Sequence, residues 1–203
     1  MIQRRRRAAP LPVGFFRRDA HEVARDLLGR ILVSHIGGTL TAGRIVEVGA
    51  YLGGTDPASH AYGFRRSARN AALYGPAGSW YVYRSYGLHW CANLVTDPPE
   101  EGAAVLLRAL EPLEGLARMR RRRGGREARV LCAGPGRLTA ALGIDRRLNG
   151  ARVRGSGLDL RAGDPLPSAR VAVTPRIGLT RAADWPLRFV EADSSWLSRA
   201  PRR

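Results

Sequence analysis

The chain has 203 residues, 44% of them hydrophobic, which suffices for one domain with a core of ordinary size. Its 34 basic residues against 17 acidic ones leave a formal charge of +17, every basic residue being arginine; a GC-rich coding sequence accounts for arginine over lysine, but only a polyanionic partner accounts for the sign. Two cysteines and four scattered histidines give neither a disulfide framework nor a zinc-ligand spacing, and no apolar run is long enough to span a membrane.

Residues 1–14 read as a disordered basic arm. Gln3-Arg4-Arg5-Arg6-Arg7 is basic like the start of a secretory signal, yet Ala8-Ala9-Pro10-Leu11-Pro12 stands where the apolar segment would follow. Asp19 is placed to cap a helix running to about Leu28, with Val23, Leu27 and Leu28 on its apolar face and Gly29 as its stop. Two strands are predicted at 31–33 and 43–48, joined through Gly37-Gly38, and alternation puts Ile45, Glu47, Gly49 and Tyr51 on one side. The segment from Gly53 to Gly78, with His60 and Arg69-Asn70, is long for an idle connection and reads as a functional loop.

A second hairpin is predicted from Trp80-Tyr81-Val82-Tyr83 and the run from Leu88 to Val95, with Tyr86 at its tip in the turn Ser85-Tyr86-Gly87. A further strand from Ala103 to Leu110 carries Arg108. Pro112 predicts the first turn of a helix that runs into the arginines at 118 and 120–123, a stretch that is solvated or faces phosphate. A short helix is expected from Leu138 to Leu142, after Gly134-Pro135-Gly136. The glycines and prolines of the last third predict short strands and turns within the same domain, and no internal repeat is present.

Tyr86 is the first candidate for chemistry. An exposed tyrosine at a hairpin tip either packs back on its own hairpin or inserts into a partner, and DNA-bending and base-extruding proteins push such a side chain between base steps. Tyr51, His60 and Tyr83 are candidates for an aromatic slot, because a purine is held by stacking on its faces and a cationic purine gains a cation–π contribution. Each of them alone is more often core filling.

Three segments, Arg44-Ile45-Val46-Glu47-Val48-Gly49-Ala50-Tyr51-Leu52-Gly53, Tyr81-Val82-Tyr83-Arg84-Ser85-Tyr86-Gly87 and the run from Val105 to Gly115, resemble the human-type alkyladenine, or methylpurine (3-methyladenine), DNA glycosylase family. The resemblance extends from about Phe15 to Trp196, with Leu131-Cys132-Ala133-Gly134-Pro135 and Pro175-Arg176-Ile177-Gly178 also in order. It implies a single α+β domain at 15–198, between the basic arm and a basic tail at 199–203. In that domain a curved, mostly antiparallel sheet is flanked by helices and carries a protruding β-hairpin, a fold of the alkyladenine glycosylase or formyltransferase C-terminal type.

The resemblance also assigns roles. Tyr86 becomes the intercalating wedge; Tyr51, His60 and Tyr83 line the base pocket; Asn93 rejects the amino group of normal guanine. Arg108 and the backbone carbonyl of Ile177 help to hold the attacking water, and Arg69, Asn70, Leu88 and His89 are expected DNA contacts. The implied partner is double-stranded DNA containing damaged purines, bound by a monomer in the bacterial cytoplasm at the nucleoid, with no membrane, metal or organic cofactor. With no lysine in the chain, a Schiff base with the sugar and strand cleavage through it are not expected, so the implied activity is monofunctional.

The family's general base falls at Gly49, where the usual wording is Glu-x-Glu-Ala-Tyr and this chain reads Glu47-Val48-Gly49-Ala50-Tyr51. Hydrolysis of a glycosidic bond passes through an oxocarbenium-like state that a carboxylate stabilises while orienting water, and glycine does neither. Glu47, two residues earlier, and Asp56, in the next loop, are the nearby carboxylates; for Glu47 a structural ion pair is the competing role. A single nucleotide separates glutamate from glycine codons, so drift and engineering both reach this residue. The rival reading is a catalytically inactive binder of damaged DNA, natural or engineered, and a third is a general RNA or nucleic-acid binder.

Overall fold

The computed structural model describes residues 8–96 and 98–201; the arginine run at 4–7 and the end of the basic tail lie outside the described residues. Eight strands, β1 (Ile31–Ser34), β2 (Thr41–Tyr51), β3 (Trp80–Ser85), β4 (His89–Val95), β5 (Ala104–Glu114), β6 (Leu158–Arg161), β7 (Val171–Thr174) and β8 (Arg188–Glu191), form one sheet. The order is β3-β4-β5-β2-β1-β6, with β8 pairing β2 and β7 pairing β8, and every pairing is antiparallel. Among the described residues four α-helices accompany it: α1 (Ala20–Leu27), α2 (Leu116–Arg122), α3 (Ala128–Leu131) and α4 (Pro135–Leu142). The expected single-domain α+β class, with its antiparallel sheet and hairpin, is what forms.

The strands alternate between two environments. Val48, Ala50, Val82, Ala92, Leu94, Val105 and Leu107 enter the main core together with Val23 and Leu27 of α1 and Leu138, Ala141 and Leu142 of α4. The residues between them, Gly49, Tyr51, Tyr81, Tyr83, Cys91, Asn93 and Arg108, therefore point to the opposite side of the sheet, because successive side chains of a strand take opposite faces. Burying one face under helices leaves the other free to be shaped by loops.

α1 forms as its sequence requires: the Asp19 carboxylate accepts a hydrogen bond from the Glu22 amide at 2.9 Å, and Ala20, Val23, Ala24 and Leu27 repeat at helical spacing on its buried side. Gly29, at φ +83°, turns the chain into β1, and a Cβ there would lie 2.2 Å from the Asp164 carbonyl oxygen, so only glycine fits.

Three expectations are corrected. Ile45 does not share a side with Glu47: Ile45 pairs Leu110 while Glu47 pairs Ala109, so Val46 is an extra residue and the strand bulges. Ile45 thereby joins Val48 in the main core, and Val46 packs with Ala109, Val190 and Leu197. Pro112 opens no helix; it lies in β5 opposite Gly43, beside a register shift where the missing amide costs no ladder bond, and α2 begins only after Gly115. Residues 8–14 are not part of a disordered arm: the Leu11 amide bonds the Leu160 carbonyl at 2.9 Å, the Ala162 amide bonds the Ala9 carbonyl at 2.8 Å, and the Leu11 side chain is buried.

The basic stretch after β5 also divides. Arg120 and Arg121 are exposed, but Arg122 donates to the carbonyls of Ala141 at 3.1 Å and Ile36 at 2.7 Å, tying the end of α4 to the β1–β2 loop. At the other end, the Arg199 carbonyl accepts from Arg188, so the start of the C-terminal tail is held against the sheet.

Candidate active site and nucleic-acid-facing cleft

On the sheet face opposite the main core, a cleft of about 820 Å³ opens between β2, β5, the β3–β4 hairpin, the long loop, Pro135 at the start of α4 and residues 177–179. It gathers Tyr51, His60, Tyr83, Asn93, Arg108, Ile177, Arg69 and Tyr86, which lie as much as 126 residues apart in the chain, around one space.

Its aromatic wall is built by alternation. Tyr81 and Tyr83 project from the same side of β3 with ring centroids 5.3 Å apart and planes at 26°, and the His60 ring stands edge-on to Tyr83 at 4.5 Å. His60 Nδ1 and the Tyr81 hydroxyl lie 2.8 Å apart, a hydrogen bond that fixes the ring. Tyr81 was missed as a site residue, although its period-two relation to Tyr83 is the signal that identifies it. Cys91, directly opposite Tyr83 in the hairpin, also lines the cleft.

These groups are neutral near pH 7. Burial pushes the Tyr83 phenol far up, the Tyr51 phenol up, and the Tyr81 phenol to about 12. Burial, helped by the charge of Arg69, holds the His60 imidazole below its ordinary value. Uncharged rings facing a confined space suit a flat aromatic ligand.

Tyr51 closes the cleft from the end of β2 and carries the Arg176 guanidinium over its ring at 4.6 Å. Arg176 is itself fixed by both carboxylate oxygens of fully buried Asp56, through Nη2 to Oδ1 at 2.8 Å and Nη1 to Oδ2, and it donates to the Ala50 carbonyl at 3.0 Å. Asp56 is thus committed to an ion pair away from the cleft wall. Asn93, 5% exposed, donates through Nδ2 to the Tyr81 carbonyl at 3.1 Å while lining the cleft.

Glu47 is committed as well. Its Oε1 accepts from Arg108 Nε at 2.9 Å, Arg188 Nε at 2.9 Å and the Ser198 hydroxyl at 2.7 Å, and its Oε2 accepts from the Ser198 amide at 2.7 Å. Burial alone would raise the carboxyl's pKa, but the bonds and charges of Arg188 and Arg108, with Ser198, lower it. The residue weighed as a substitute base is a buried structural anion that does not line the cleft.

The depressed pKa fixes a pH dependence. Stability from Glu47 is fully present above the unfolded carboxyl value of about 4.5 and is lost as the pH falls below it through the folded value. Glu47→Gln should lower the unfolding free energy by about 3–5 kcal/mol, because two buried guanidinium groups lose their counter-charge. Urea unfolding at pH 7 and at progressively lower pH measures both effects, and the gap between wild type and variant should narrow in acid.

Gly49 lies in β2 beside Tyr51 and Arg108, two residues that line the cleft, and is paired with Leu106 on one side and Arg188 on the other. A Cβ there would meet Arg108 Cδ at 3.5 Å, Tyr51 Cε2 at 3.8 Å and the Leu187 carbonyl oxygen at 3.9 Å, all ordinary contacts. Position 49 therefore accepts a Cβ, which would stand beside two residues of the cleft, Tyr51 and Arg108. Among the described residues no carboxylate lines this space; its charged groups are Arg69, Arg84 and Arg108.

At the hairpin tip Tyr86 is 90% exposed and Leu88 is 71% exposed. The Leu88 amide bonds the Ser85 carbonyl at 2.9 Å, closing a two-residue turn in which Tyr86 and Gly87 take φ +49° and +67°. Tyrosine in this left-handed region costs roughly 1–2 kcal/mol. The hairpin thus holds a large ring outward at a backbone position where glycine or asparagine would be cheaper. At its base, His89 is exposed but packs so closely on α4 that a Cβ at Gly136 would lie 2.8 Å from His89 Cβ.

The expected DNA contact at Asn70 is placed differently. Asn70 is 3% exposed, its Oδ1 accepting from the Ser67 amide at 2.7 Å and its Nδ2 donating to the carbonyls of His60 at 2.8 Å and Arg65 at 2.9 Å. It shapes the loop that presents His60 and Arg69. From 57 to 96 the sequence holds no acidic residue, and Arg65, Arg66, Arg69 and Arg84 in that span are exposed.

Fold and cleft together define a class: an α+β protein with one antiparallel sheet, carrying a cleft walled by neutral rings beside an exposed aromatic tip on a basic surface. The chain belongs to the methylpurine-DNA glycosylase family, whose pattern (Methylpurine-DNA glycosylase, MPG) matches residues 14–195. It is 50% identical to a protein of Methanoculleus marisnigri over 93% of this chain and 98% of the relative. It is 49% identical to one of Rhodopseudomonas palustris strain CGA009 (91% and 86%) and 43% identical to one of Burkholderia cenocepacia over both full lengths. Each relative is named as a candidate 3-methyladenine DNA glycosylase.

Proposed function

We propose that the protein acts in DNA base-excision repair, extruding alkylated or deaminated purines from duplex DNA and hydrolysing the N-glycosidic bond, with turnover limited by Gly49. The observation that carries this reading is Tyr86, held 90% exposed in a strained turn at the mouth of an aromatic cleft. A ring spent on solvent at a backbone cost is accounted for when it fills the gap left by an extruded nucleotide.

In this reading Tyr51, His60, Tyr83 and also Tyr81 hold the flipped purine, Asn93 meets its edge, and Arg108 with the Ile177 carbonyl holds water. Arg69, Leu88 and His89 contact the DNA around it. The chain acts as a monomer on nucleoid DNA without a cofactor and, having no lysine, leaves the strand uncut.

General-base catalysis supplies about 10²–10⁴-fold. Neutral lesions such as hypoxanthine are therefore excised poorly, whereas cationic alkylpurines, which depart without protonation, are excised better. Single-turnover assays on 3-methyladenine and hypoxanthine duplexes test this.

A second reading, a binder of damaged DNA that does not excise, is favoured by the commitment of Glu47 and Asp56 to arginines and by the absence of a cleft carboxylate among the described residues. Tight lesion-specific binding with no released base on either duplex would select it. In both readings affinity should fall steeply with salt, log K declining by about 0.9 per phosphate neutralised for each tenfold rise in salt. Titration between roughly 50 and 200 mM salt measures this, and a flat response would remove duplex DNA as the partner.

A further inference from the structure

Charge is unevenly compensated at the inner wall of the cleft. Two buried guanidinium groups, Arg108 and Arg188, share the single carboxylate of Glu47, and Ser198 takes that carboxylate's other oxygen. Arg188 disposes of its remaining donors on the Thr174 hydroxyl and the Arg199 carbonyl. Arg108 does not: beyond its Nε bond, its two Nη groups meet no acceptor among the described residues, and Arg108 is the one of the pair that lines the cleft. The excess positive charge is thus presented to the cleft, where Arg69 and Arg84 are the other charged groups.

Space accompanies the charge. Beside Arg108, a Cβ built on Gly49 makes no contact shorter than 3.5 Å. The cleft of about 820 Å³ that Arg108 and Tyr51 line leaves room in front of them for a free anion of propionate size or smaller. A partly enclosed position beside guanidinium Nη groups that meet no acceptor attracts such an anion more strongly than bulk water does.

We infer that the Gly49–Arg108 wall is a binding site for a small monocarboxylate, of formate to propionate size, which accepts the proton of the attacking water. The binding half stands on the geometry; the proton-accepting half rests on the glycosylase reading above. In that step the water oxygen bonds to the sugar C1′ of a cationic alkylpurine nucleotide, the C1′–N bond breaks with its electron pair going to the purine, which leaves neutral, and the carboxylate takes the water's proton. The bound anion supplies what no side chain at position 49 supplies.

The test has two arms, with chloride replacing carboxylate at constant ionic strength because DNA binding is itself salt-sensitive. In the first, ¹³C-formate is titrated against DNA-free protein by NMR. Saturable perturbation of its signal is expected with the wild type and its loss with Gly49→Glu, which places its own carboxylate in the site and leaves the Glu47 cluster intact. No saturable perturbation, or the same perturbation in Gly49→Glu, overturns the site.

In the second, single-turnover excision of 3-methyladenine should rise about 10-fold or more with formate or acetate, within the range that a general base supplies, and not with chloride, while Gly49→Glu stays indifferent to either. Wild-type excision unmoved by bound formate, when Gly49→Glu excises readily, overturns the anion's role as proton acceptor. A Gly49→Glu variant with no activity on any lesion instead counts against the glycosylase reading, and the binding arm still decides the site.

Discussion

Gly49→Glu should raise single-turnover excision of hypoxanthine by about 10²–10⁴-fold. The backbone at position 49 is extended, with Leu106 and Arg188 as strand partners, so a side chain enters without changing φ. Its Cβ would rest 3.5 Å from Arg108 Cδ, and its carboxylate would come within reach of the Arg108 Nη groups that Glu47 leaves unshared. That placement orients the new base and keeps it ionised near pH 7, since a neighbouring guanidinium favours the charged form. The gain should be smaller for cationic alkylpurines, whose departure needs less help. Equal rates for both proteins on hypoxanthine, with the variant folded, would falsify the assignment of position 49 to catalysis.

Tyr86→Gly is expected to separate stability from function. Relief of the left-handed tyrosine returns roughly 1–2 kcal/mol, and the extra freedom of glycine in the unfolded chain takes back about 0.5–1 kcal/mol. The unfolding free energy should therefore stay level or rise by about 1 kcal/mol. Excision and lesion-specific affinity should fall roughly 10- to 100-fold, since base–aromatic stacking is worth about 1–3 kcal/mol and each 1.4 kcal/mol is tenfold. Guanidinium unfolding and fluorescence-anisotropy binding to lesion and undamaged duplexes measure the two sides. A variant that loses stability and binding together would mean that Tyr86 supports the hairpin rather than DNA.

The face taken by the strand-borne residues of the cleft follows from the fixed period of a strand, although Tyr81 was missed and His60 lies in a loop. Once Trp80 and Val82 are inside, Tyr81 and Tyr83 are on the other face, and the same logic places Cys91 and Asn93 on β4 and Gly49 and Tyr51 on β2. The Asp19 cap, the Gly29 stop and the hairpin tip at Tyr86 were legible for a similar reason: each is settled by groups within a few residues of one another. The bulge at Val46 was not, because the extra residue exists only relative to a partner strand, and the place of Pro112 depends on lying opposite Gly43.

The roles of the nearby carboxylates also waited for the fold. By sequence alone, Glu47 and Asp56 were the carboxylates near position 49, with a structural ion pair already the competing role for Glu47. Glu47 meets Arg108, Arg188 and Ser198, which are 61, 141 and 151 residues away, and Asp56 meets Arg176 across 120 residues.

The amino-acid order by itself determined the charge, the absence of lysine, the alternating faces of the strands and the exposed tip, since composition and short-range sterics need no partner. Tertiary structure alone decided which carboxylates are already paired and which arginine is left facing the cleft. Counter-charges in a low-dielectric interior are set by which distant strands come to lie side by side.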